Sequence, residues 1–164
     1  MEQREASGDV VMTRIGQAIM LLHAGDREEA RNRFGVIWSE IGEDGDALHR
    51  CTLAHYMADT QDDPGDELAW DLRALTAAEG LGEGAAPEPA GEHPDASAVR
   101  AFFPSLHLNL AADYLKLQRF EAARLHLDRA WDAAGVLERD DYGGSVRAAI
   151  GRMEQRLRGG AAGP

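Results

Sequence analysis

Cysteine occurs once in these 164 residues, at Cys51, and lysine once, at Lys116. A single thiol excludes an intrachain disulfide, and nothing points to an oxidising compartment. Arginine supplies every other basic charge, which we read as codon composition rather than chemistry. Aromatic residues make up only 6%, and β-branched residues are sparse. Alanine is abundant instead, so the chain leans helical. Basic charge is short as well: 29 acids against 17 arginines and lysines leave a net charge of −12. That balance argues against binding a phosphate backbone and favours a neutral or cationic partner. The apolar run from Ile15 to Leu22 is too short to span a bilayer and lacks the flanks of a signal peptide. The expectation is a cytoplasmic protein that binds neither nucleic acid nor membrane.

What is present is helical periodicity. Val11, Ile15, Ala18, Leu21 and Leu22 mark a first helix over about Asp9–Ala24. Gly25-Asp26 breaks it, glycine suiting the left-handed end and aspartate capping the next helix. The second helix places Ala30, Phe34, Ile37, Trp38 and Ile41 on one face. After Gly42–Asp46 a third runs to about Thr60, with Leu48, Cys51, Ala54, Met57 and Ala58 inward. Asp62-Asp63-Pro64-Gly65 opens a fourth, since proline fits a first helical turn and the preceding aspartate can cap it. Its buried stripes are read as Leu68, Leu72, Leu75 and Trp70, Ala74, Ala77. Residues 80–95 carry three prolines and four glycines, with almost nothing to bury, and read as a flexible loop. A fifth helix spans about Ala96–Leu117, kinked by or starting near Pro104. A sixth buries Phe120, Ala123, Leu127, Ala130 and Ala134. A seventh places Val146, Ile150, Met153 and Leu157 on one side and Arg147, Arg152 and Arg156 on the other. Residues 159–164 read as a disordered tail.

Two stretches share one layout, Ala18–Trp38 and Leu110–Trp131. In the second, Ala111 and Tyr114 precede a turn, and Phe120, Ala123, Leu127 and Ala130 follow it. In the first the matching residues are Ala18, Leu21, Gly25, Ala30, Phe34 and Ile37. This pattern resembles the tetratricopeptide repeat family. The stretch from Ala47 to Glu79 is a degenerate middle copy, Gln118 replaces the usual turn glycine, and the proline expected after each second helix is absent. The resemblance implies an all-α fold: one domain over residues 1–164, a right-handed stack of about three antiparallel helix hairpins with a C-terminal capping helix. Such arrays present the first helix of each hairpin on a concave face. Here that face would carry Met12, Ile15, Ile19 and Leu22, then Leu48, Cys51, His55 and Ala58, then Ser105, Leu108, Asn109 and Ala112. Chaperone-binding members line this face with basic residues that clamp a peptide carboxylate. Only Asn109 fits that clamp, while Ile15, Leu48 and Ser105 stand where basic residues are expected, so the clamp is rejected.

Other motifs are weaker. Cys51 and His55, four apart on one helical face with His49 nearby, invite a zinc reading. Structural zinc asks for four ligands and catalytic zinc for three, and no second cluster has the spacing; His107 and His126 stand alone. No metal or cofactor is therefore expected. Asp62-Asp63-Pro64-Gly65-Asp66 has the spacing of a diphosphate-binding acidic motif, but Pro64-Gly65 interrupts the helix such a site needs. The nine acids from Glu43 to Asp71, against one arginine, read as a solvated rim. Arg156–Gly160 echoes a ubiquitin tail only by coincidence. No serine sits in a nucleophile elbow, and no phosphate loop follows a strand. The expected function is non-catalytic protein or peptide binding in the mostly apolar groove. The rivals are a homo-oligomer whose apolar face is its own interface, and a small-molecule sensor or accessory subunit with a pocket near Cys51 and His55.

Overall fold

A computed structural model describes residues 2–84, 94–135 and 141–161. The fold is all-α, with seven helices and no strand among the described residues. They are α1 (Glu2–His23), α2 (Arg27–Ile41), α3 (Ala47–Asp59), α4 (Pro64–Gly84), α5 (Pro94–Lys116), α6 (Phe120–Ala134) and α7 (Asp141–Ala161). The helices gather into two compact units, residues 1–77 and 78–164.

In the first unit α1 and α2 form a hairpin against which α3 packs. Ala18 and Ala30 are fully buried: without side-chain bulk, two helix backbones approach closely there. Ile15, Phe34, Ile37, Leu53 and Met57 fill the space beside them. Phe34 stacks on Tyr56 at 6.1 Å, and Trp38 meets Trp70 edge-on at 5.2 Å. The Arg50 guanidinium lies 4.2 Å over Trp38 and that of Arg73 lies 4.4 Å over Trp70, so the partly exposed indoles are roofed by cations.

The second unit repeats the device. Here α5 and α6 form the hairpin, and α7 packs on both. Ala111 and Ala123 are fully buried; Leu127, Ala130 and Ala134 continue the α6 stripe. The expected α7 stripe of Val146, Ile150, Met153 and Leu157 is buried against them.

Both hairpins turn in the same way, bond for bond. After α1 the Gly25 N–H donates to the Leu22 carbonyl at 3.1 Å, and the Asp26 N–H to the Leu21 carbonyl at 2.9 Å. After α5 the Gln118 N–H donates to the Leu115 carbonyl at 3.0 Å, and the Arg119 N–H to the Tyr114 carbonyl at 2.9 Å. This is a Schellman ending, which needs one residue in the left-handed region. Gly25 supplies it at φ +92°, and Gln118 at φ +59°.

Several element limits differ from the sequence expectation. Helix α1 starts at Glu2, α4 continues to Gly84, α5 starts at Pro94 and runs through Pro104, and α7 continues to Ala161. Of the predicted loop, residues 80–84 and 94–95 are helical, as are residues 159–161 of the predicted tail; residues 85–93 and 162–164 lie outside the described residues. The Asp26 side chain makes no cap; only its backbone is engaged, the N–H on the Leu21 carbonyl and the carbonyl accepting from the Ala30 N–H. Leu72 and Phe120 are not core residues, at 37% and 38% exposure. On α4 the buried side is Asp71, Ala74, Leu75 and Ala78, and Leu72 lies beside it. Phe120 is the first residue of α6, at the hairpin's end, where it borders a cavity of about 380 Å³ with Arg124, Leu157 and Arg158.

Candidate functional site

The residues expected on a binding face fall in both units. On α1, Met12 is 41% exposed. Ile19 and Leu22 are half-buried and rest on the core of the first unit, while Ile15 belongs to that core at 1% exposure. The α1 set is thus a shoulder, with Met12 outermost, Ile19 and Leu22 half-buried and Ile15 beneath. On α3, Leu48 and His55 are half-buried, and Cys51 and Ala58 are interior. On α5, Leu108 and Ala112 pack against the core of the second unit, and Ser105 and Asn109 are half-buried. Ile15 and Cys51 support their helices from within and offer no contact surface of their own.

The chemistry of Cys51 and His55 follows from burial. Desolvation pushes the Cys51 thiol up to about 12, so it stays protonated at neutral pH. A protonated thiol is a poor nucleophile and a poor metal ligand. Burial also lowers His55, with the Asp59 carboxylate opposing that shift. Its ring meets Tyr56 edge-on at 5.0 Å. Among the described residues no group of three or more His, Cys, Asp or Glu side chains could hold a metal ion.

The acidic rim has structural employment. Asp46 Oδ1 accepts from the N–H groups of Leu48 at 2.9 Å and His49 at 3.3 Å, capping α3. Asp63 Oδ2 accepts from the Asp66 N–H at 3.0 Å and caps α4 as expected. Arg27 on α2 pairs with Asp62 at 2.9 Å and donates to the carbonyls of Asp59 and Gln61 at 3.4 Å. Arg31, one turn on, donates to the Thr60 carbonyl at 3.4 Å. Two arginines therefore clasp the open carbonyl end of α3, where the helix dipole is negative. The acidic triplet is part of this clasp and of a cap.

Two features escape the sequence reading. The first is a cavity of about 280 Å³ on the α1–α2 seam, lined by Arg14, Gln17, Glu29, Asn32, Arg33, Val36 and Ile37. Both its arginines are already paired, Arg14 with Glu40 and Arg33 with Glu29. The second is a histidine pair. His107 and His126, nineteen residues apart, face each other with Nδ1 atoms 3.1 Å apart. The reading of two isolated histidines is therefore corrected: the α5–α6 hairpin folds one onto the other. Only knowledge of that hairpin's register could have paired them.

No helix among the described residues is long and apolar enough to cross a membrane. A scan of protein-family models finds no match to this chain, and searches of curated proteins and of solved structures find none either.

Proposed function

We propose that this chain is a non-catalytic binding module built from tetratricopeptide-repeat-like hairpins. Its ligand would be an amphipathic peptide seated on the apolar shoulder of α1. The observation that carries the reading is the exposure of Met12 beside half-buried Ile19 and Leu22. A solvent-facing methionine is adaptable and favours peptide contacts. The two matched hairpin turns support a repeat architecture, whose first helices are its usual contact elements. The net charge of −12 favours a peptide that is basic on its polar side, with charge setting approach and orientation.

The test is selection of helical peptides from a display library on the full chain. Apolar-basic sequences should be enriched. Met12→Glu should then weaken the selected peptide at least tenfold, equivalent to about 1.4 kcal/mol, with unchanged melting. An apolar-free selection, or equal binding by Met12→Glu, overturns the reading. A stable dimer at low micromolar concentration that Met12→Glu disperses would instead make the shoulder a self-association surface.

A further inference from the structure

The buried pair on α5 and α6 belongs to a chain of neighbouring rings. Phe103 lies over His107 at 6.3 Å, His107 meets His126 at 5.3 Å, and His126 stacks on Tyr114 at 5.4 Å. The His107 and His126 planes differ by 22°. Their centroids are 5.3 Å apart while the Nδ1 atoms are 3.1 Å apart, so the nitrogens point at each other between the rings. Two lone pairs cannot face at that distance. One ring must carry its proton on Nδ1 and donate; the other must keep Nδ1 bare, with its proton on Nε2.

We propose that the His107–His126 bond is a proton-controlled latch on the α5–α6 hairpin, closed at neutral pH and forced apart by acid. One added proton can sit on the far Nε2 of the donor ring and leave the bond intact. A second must enter the acceptor Nδ1. Two N–H groups and two positive charges then face each other at a spacing where like charge is costly. The buried Asp113 carboxylate shares α5 with His107 but is not among the charges that act on either ring. Arg129 on α6 acts against a charge on either histidine, and the α5 neighbour, Tyr114, lies near-parallel to His126 with ring centroids 5.4 Å apart. On α7, Arg147 donates to the Ala134 carbonyl, and Glu154 is held by Arg124 and Arg158. Burial first, then the charge of His126 and of Arg129, push His107 down to about 4 from an ordinary 6.5. His126 is lowered by burial and then by Arg129.

The folded pair thus refuses protons that the unfolded chain accepts. Its contribution to stability is whole above pH 6.5 and is lost as pH falls from there toward 4. Nitrogen-15 spectra of histidine-labelled full chain at pH 7 should show one buried ring as the Nδ1–H tautomer and its partner as Nε2–H. Two ordinary Nε2–H rings titrating near 6.5 overturn the latch. Melting provides the second arm. His107→Phe keeps an aromatic ring at this position and cannot titrate, so its Tm should fall less than wild type between pH 6.5 and 4. Equal losses in both proteins overturn the proposal. If the variant does not fold, the tautomer measurement on the wild type decides.

Discussion

Position 118 shows how much a single residue carries. The turn after α1 puts Gly25 in the left-handed region, and the identical turn after α5 asks the same of Gln118. A side chain there costs about 1 kcal/mol, because Cβ crowds the neighbouring carbonyl. Gln118→Gly removes that strain but adds backbone freedom to the unfolded chain. The expected gain is about 0.5 kcal/mol, a rise in Tm of about 2 °C, read by calorimetry. The converse change, Gly25→Ala, meets no atom within 4 Å and should lower Tm through backbone strain alone. The sequence already showed Gln118 to be anomalous, because the first copy of the pattern has glycine there. His107 and His126 carried no such signal. Each reads alone as an ordinary core residue, and their pairing depends on two helix rotations at once.

Helix ends divide along similar lines at the scale of elements. Asp63 was legible as a cap, because an aspartate before a helical run readily accepts from the first N–H groups; Asp46 read only as the end of a turn yet caps α3, and Asp26 read as a cap yet makes none. Asp46→Ala should cost about 1 kcal/mol, seen as a lower denaturant midpoint with unchanged slope. The other end of α3 was not legible. Its carbonyls are met by Arg27 and Arg31 from α2, a contact set by tertiary packing with no local pattern. Periodicity found every helix but misjudged some faces. Leu72 and Phe120 match their stripes in spacing, yet one sits beside the buried line of α4 and the other at a helix start. Glycine content set the predicted loop too wide, since α4 extends through Gly80 and Gly82 to Gly84.

The all-α class was legible for the whole molecule from composition and periodicity together. The grouping of the helices into two compact units carries no local signal in the sequence. The candidate site was half legible. Spacing placed Met12, Ile15, Ile19 and Leu22 on one side of α1, but it could not rank their depth, and Ile15 proves interior while Met12 is outermost. The central claim is that the Met12 shoulder receives a peptide, and the chain carries its own reporters. Among its five methionines, Met12 and Met20 are exposed and Met57 and Met153 are buried. Methyl spectra of methionine-labelled protein, recorded as a selected peptide is added, test the claim directly. The account predicts that the Met12 methyl shifts in proportion to occupancy while Met153 stays fixed. A saturating peptide that moves Met153 and leaves Met12 unchanged would contradict it.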